Sequence, residues 1–123
     1  MPAPPRIPRP PAGTRAAGKR LWTSILDRYE LEEHELALLV EMVRTVDVLT
    51  VLDQTVREEG VTISGGESGP KVHPAVIEAR QQRQALARLR AALRLPEEDE
   101  GSGADRRPQR RAVRGAYGPR AVS

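Results

Sequence analysis

The stretch that most constrains the fold is residues 33–59, a long run with helical periodicity and apolar residues on two sides. A helix of this length is about 40 Å long. One apolar stripe consists of Leu36, Leu39, Val40, Val43 and Val46. A second stripe, nearly opposite, consists of Leu38, Met42, Leu49, Leu52 and Val56. Because a helix that is apolar on two sides must be buried on both, we expect the second stripe to contact another subunit.

Two shorter elements are predicted on either side of this long helix. Apolar residues at helical spacing predict a first helix from about residue 19; they are Leu21, Trp22, Ile25, Leu26 and Tyr29. Its two aromatic rings are expected to be core anchors rather than a platform for stacking bases. Between the long helices, residues 61–63 alternate like a strand, and Gly65, Gly66 and Gly69 indicate a small β-hairpin or a Gly-rich turn.

A third helix is predicted from Pro74 to residue 95, because proline is favourable in a first helical turn and Pro96 stops the run. Its apolar seam consists of Ala75, Ala79, Leu86, Leu89 and Leu93. The fold class is therefore mainly α: a short N-terminal helix plus a long antiparallel helical hairpin, with the small turn element between the long helices.

Proline and charge are concentrated at the two ends of the chain. Residues 1–20 contain six prolines, five basic residues and no acidic residue, while residues 97–123 contain five acidic and six basic residues and few large apolar side chains. We predict a disordered basic arm over residues 1–18, a helical core over 19–96, and a disordered Arg-rich tail over 97–123. Basic arms around a mildly acidic core favour a polyanionic partner, although solubility alone also accounts for them.

Residues suited to catalysis or metal binding are scarce. The chain has no cysteine, and its two histidines are far apart in the sequence. No Ser/His/Asp grouping or carboxylate pair has a spacing typical of an active site. His34 is expected to help cap its helix, and His73 to lie at the N-cap of the third helix or at the hairpin junction. From this scarcity we expect no enzymatic activity, no cofactor and no metal. We also expect no membrane partner, because no signal peptide or membrane span is recognisable.

Two sets of basic residues are candidates for binding nucleic acid. On the third helix, Arg80, Arg83, Arg90 and Arg94 form a row about 21 Å long, which suits successive phosphates. The same row could instead pair with acidic residues of the second helix. The other set lies in the terminal segments: Arg6, Arg9, Arg15, Lys19 and Arg20, with residues 106–114 at the opposite end.

The order of these features resembles the small subunit of tailed-phage DNA-packaging terminases. The resemblance covers residues 18–96 and is carried by GKRLWTSILDRYELEEHELALLVEMVRTVD at 18–47, a Gly-rich turn, and VHPAVIEARQQRQALARLRAALRLP at 72–96. Members of this family often have asparagine before the proline, where this chain has His73. No helix-turn-helix with a recognition helix is evident.

The resemblance implies an oligomeric, ring-like protein in the host cytoplasm that binds double-stranded viral DNA. It also implies a large terminase subunit, which holds the ATPase and nuclease, as a second partner. Residues 106–123 are a candidate contact for that subunit. Two other hypotheses stay open: a helical adaptor that does not bind DNA, and a dimeric DNA-binding regulator.

Overall fold

The chain forms three α-helices and a two-stranded antiparallel sheet in a computed structural model that describes residues 7–96. The elements are α1 (Ala16–Leu26), α2 (Glu33–Glu59), β1 (Thr62–Ile63), a 3₁₀ turn (Gly66–Ser68), β2 (Lys71–Val72) and α3 (Pro74–Leu93). The mainly helical class and the small sheet between the long helices are confirmed. The predicted C-terminal tail and residues 1–6 of the predicted arm lie outside the described residues.

The start of α2 differs in detail from the prediction. Glu32 and Glu35 form a capping box, in which the backbone N–H of Glu32 donates to Glu35 Oε1 at 2.8 Å. His34 is exposed in the first turn. The expectation that His34 caps this helix is therefore wrong, because a flanking pair of carboxylates already occupies the two capping positions.

The ends of α3 follow from its sequence, with one correction. His73 is the N-cap: its Nδ1 accepts a hydrogen bond from the backbone N–H of Ala75 at 2.9 Å, and Pro74 begins the helix. The helix ends at Leu93, two residues before the predicted end. Arg94 adopts the left-handed conformation, with φ of 54° and ψ of 47°, and its N–H returns to the carbonyl of Arg90.

Both apolar sides of α2 are covered inside one protomer. On one side α1 packs so closely that Val43 lies against Gly18, and on the other side α3 packs so that Arg83 reaches Asp53. Helical geometry places the second apolar stripe on the α3 side. This arrangement was not anticipated, because a protomer this small was expected to cover only one stripe.

The predicted subunit interface therefore needs correction. Met42 and Leu49 are only 4% and 9% exposed, so they are not available to another subunit. The remaining members of that stripe, Leu38, Leu52 and Val56, are half-buried. Self-association itself stays a prediction, as does a contribution of these three residues to it.

The two buried aromatic rings hold the segments that flank the helices. Trp22 Nε1 donates to the carbonyl of Pro8 at 2.8 Å, and Ile7 packs against the core. Tyr29 Oη donates to the carbonyl of Pro96 at 3.1 Å. Both rings are core anchors, as predicted. Within the predicted disordered arm, the structure describes residues 7–18: the Trp22–Pro8 hydrogen bond and the packing of Ile7 hold the Pro-rich segment on the core, and residues 16–18 belong to α1.

Candidate nucleic-acid interface

One exposed concentration of positive charge lies on the N-terminal segment and α1. It consists of Arg9, Arg15, Lys19 and Arg20, which we call the α1 cation surface. Residues 7–26 contain no acidic residue. All four side chains are exposed, and within residues 7–96 none of them forms an ion pair. Arg6, predicted with this set, lies outside the described residues.

A buried carboxylate from α2 fixes this surface in place. Asp47 accepts hydrogen bonds from the backbone N–H groups of Arg15 and Gly18, each at 2.7 Å. It thus caps the N-terminus of α1 from another helix, because Arg15 at the N-cap position offers no capping side chain. The cations of α1 are consequently attached to the longest helix of the protein.

Close approach of the two helices requires glycine at position 18. A Cβ there would lie 2.7 Å from Asp47 Oδ2 and 2.9 Å from Val43 Cγ1. Both distances are shorter than carbon atoms tolerate. Glycine costs a helix interior about 1 kcal/mol relative to alanine, so its presence here indicates that the contact with Asp47 matters more than helix propensity.

The charges of α1 oppose the helix dipole. The N-terminus of a helix carries a partial positive charge, which favours acidic side chains in the first turn, but α1 has none there. Instead Arg15 and Lys19, four residues and about 6 Å apart, both lie at this end. Helix propensity therefore does not account for these cations: Asp47 supplies the negative charge at this helix end, and the exposed Arg15 and Lys19 side chains stay available to a phosphate.

The arginine row on α3 is only partly available for contacts with phosphates. Arg83 donates to both carboxylate oxygens of Asp53, at 2.9 and 3.0 Å, so the alternative of pairing with α2 is realised at this position. Arg94 lies after the end of the helix in a left-handed conformation, so it no longer continues the row. Arg80 and Arg90 are exposed and form no ion pair within residues 7–96. Two of the four predicted residues therefore stay in the predicted arrangement.

The remaining titratable groups do not assemble into a catalytic or metal site in the described part of the chain. His73 is buried, and its Nε2 lies 2.7 Å from Glu59 Oε1. Because Nδ1 accepts from Ala75, the neutral ring carries its proton on Nε2 and donates it to Glu59. No group of three potential ligands is close enough to hold a metal among residues 7–96. Nor is any helix there long and apolar enough to cross a membrane.

Sequence reasoning missed Asp47, the residue that organises this surface. One signal was available: a carboxylate directly between two apolar residues, Val46 and Val48. A buried carboxylate needs hydrogen-bond donors, and the uncapped N-terminus of α1 is the nearest supply of free N–H groups.

Comparisons with family models, with curated proteins and with solved structures found no match to this chain. The resemblance to small terminase subunits therefore depends on the residues of this chain alone.

Proposed function

We propose that this protein is the small subunit of a viral DNA-packaging terminase. In this role it binds double-stranded viral DNA as a ring-like homo-oligomer in the host cytoplasm. It then delivers that DNA to the large subunit, which supplies the ATPase and nuclease activities. The small subunit contributes binding and positioning, with no chemistry of its own.

The α1 cation surface is the single observation that carries the DNA-binding part of this proposal. These four exposed cations form no ion pair within residues 7–96, so their side chains can attract a polyanion, and contacts of this kind give affinity without sequence preference. Residues 21–96 contain more acidic than basic residues. The acidic residues are concentrated in residues 27–67, and this part of the core repels a phosphate backbone, so a duplex would approach from the side of α1 or of α3.

The two long helices, α2 and α3, would support the α1 cation surface. We propose that α2 and α3 form the antiparallel hairpin expected from the sequence. Glu59 at the end of α2 contacts His73 just before α3, and Asp53 contacts Arg83 further from the connection. Contacting residues therefore move backwards along α2 as they move forwards along α3, as expected for antiparallel helices. With α1 capped by Asp47 on α2, such a hairpin would hold the cations in fixed positions.

Two matched quadruple variants test the proposal. In one, Arg9, Arg15, Lys19 and Arg20 are changed to glutamine; in the other, Arg80, Arg83, Arg90 and Arg94 are changed to glutamine. Glutamine removes the charge and has a helix propensity close to that of arginine. Fluorescence anisotropy with a labelled mixed-sequence duplex at low salt should show affinity reduced about tenfold or more by the first set, and less by the second.

The possible results distinguish whether the protein binds DNA at all from which surface binds it. If the α3 variant loses binding and the α1 variant keeps it, the protein binds DNA through α3 and the α1 assignment is wrong. If the wild-type protein does not bind duplex DNA at low salt, the packaging role fails and a helical adaptor is the better description.

A further inference from the structure

The side of α2 that faces away from α1 and α3 carries a regular set of residues. Steps of four and three residues connect them: Arg44, Val48, Val51, Thr55 and Glu58, which we call the outer face of α2. Alternating steps of this kind keep side chains on one side of a helix and are typical of helix-to-helix seams. Within residues 7–96 no other helix or strand covers this face.

The apolar members of the outer face are unusually exposed. Val48 is 43% and Val51 is 46% exposed. Another pair of exposed large apolar residues has a local explanation, because Val72 and Ile77 occupy the positions before and after the N-cap of α3 that form a hydrophobic staple. Val48 and Val51 have no such role.

The charges of the outer face are arranged symmetrically about Val51. Arg44 lies seven residues before it and Glu58 lies seven residues after it, each about 10 Å away along the helix. If a second copy of α2 lies antiparallel with the two-fold axis at Val51, each Arg44 faces a Glu58 of the other copy. A parallel arrangement in register places like charges opposite each other instead.

The contacts within one protomer leave the charges of Arg44 and Glu58 available to pair with a second copy. Among the described residues, Arg44 forms an ion pair with Glu41 alone, at 3.2 Å on an exposed surface, where such a pair contributes little. Glu58 accepts a hydrogen bond from Gln54 at 2.6 Å but has no cationic partner within residues 7–96.

We propose that the outer face of α2 binds a second copy of this chain in an antiparallel, two-fold arrangement centred on Val51. The valines pack against each other, and two Arg44–Glu58 ion pairs flank them. This inference extends the self-association in the proposed function and does not depend on DNA binding. Because a two-fold contact is complete with two copies, a larger ring would need a second contact between such pairs.

Two charge-reversal variants test this inference without DNA. Arg44→Glu alone and Glu58→Arg alone each place like charges at both ends of the seam. Analytical ultracentrifugation across protein concentrations at low salt should show the wild type forming dimers or larger assemblies, and each single variant weakened about tenfold or more in this association. Lys71→Glu, an exposed reversal on β2, serves as the matched control and should associate like the wild type.

Mixing the two single variants gives the decisive result. In the mixed dimer, the glutamate introduced at position 44 of one variant faces the arginine introduced at position 58 of the other. At the opposite end of the seam, the unchanged Arg44 faces the unchanged Glu58, so association should return on mixing at equal concentration. Circular dichroism confirms that each variant is folded. Wild-type protein that stays a single subunit at high concentration would overturn the inference. So would single variants that associate normally, or a mixture that associates no better than its components.

Discussion

Replacing Asp47 with alanine should destabilise the protein more than any other single charge removal among the described residues. The substitution leaves two backbone N–H groups at the start of α1 without their acceptor, and that of Gly18 is buried. Loss of a helix cap typically costs about 1 kcal/mol, and a buried donor left unpaired costs about 1–3 kcal/mol. Together these predict a loss of about 2–4 kcal/mol in the free energy of unfolding. For a folded unit of this size that corresponds to a decrease in Tm of roughly 10 °C or more.

Urea unfolding followed by circular dichroism measures this loss, with two variants for comparison. Asp47→Asn keeps one acceptor oxygen and turns a donor toward the second N–H, so its stability should be intermediate. Asp53→Ala removes an acid from the same helix, but its partner Arg83 is exposed, so the expected loss is about 0.2–1 kcal/mol. An Asp47→Ala protein within about 0.5 kcal/mol of the wild type, or no more affected than Asp53→Ala, would refute the capping role.

Three further predictions concern neighbouring contacts. Gly18→Ala should lower the Tm despite the better helix propensity of alanine, since its Cβ would lie 2.7 Å from Asp47 Oδ2; an unchanged or higher Tm would contradict the close packing. His73→Ala should cost about 1 kcal/mol in urea unfolding through loss of the α3 cap, whereas His73→Asn should cost less than half of that, and equal losses would exclude capping as the cause. Trp22→Phe removes the donor to Pro8, so trypsin should cleave faster after Arg15 than in the wild type; a Tyr29→Phe control, which releases Pro96 instead, should leave that cleavage rate unchanged.

The sequence predicted local structure well because the deciding interactions are local. Pro74 with His73 before it defines the start of α3, and glycines between two short alternating segments define the β-hairpin. Each of these signals acts within a few residues. The end of α3 was placed too late because Arg94 takes a left-handed conformation, which a sequence read for periodicity does not reveal in a residue other than glycine or asparagine.

Tertiary arrangement was harder to predict, and the errors have one physical origin. Periodicity shows that α2 is apolar on two sides, but it does not show what covers each side. The buried position of Met42 and the pairing of Arg83 with Asp53 both follow from where α3 packs. Likewise, the link between Asp47 and Gly18 joins residues far apart in the chain, so the ordered state of residues 7–18 was not evident from their Pro-rich composition.

The central claim is that a fixed group of cations on α1 binds duplex DNA, and the salt dependence of binding tests it most directly. Affinity for a mixed-sequence duplex should decrease linearly as log K against log salt, and each phosphate contact contributes about −0.9 to the slope. Neutralising Arg9, Arg15, Lys19 and Arg20 together should make the slope shallower by up to about 3.6, four times 0.9. A wild-type slope near zero, or a slope that this variant leaves unchanged, would contradict the account.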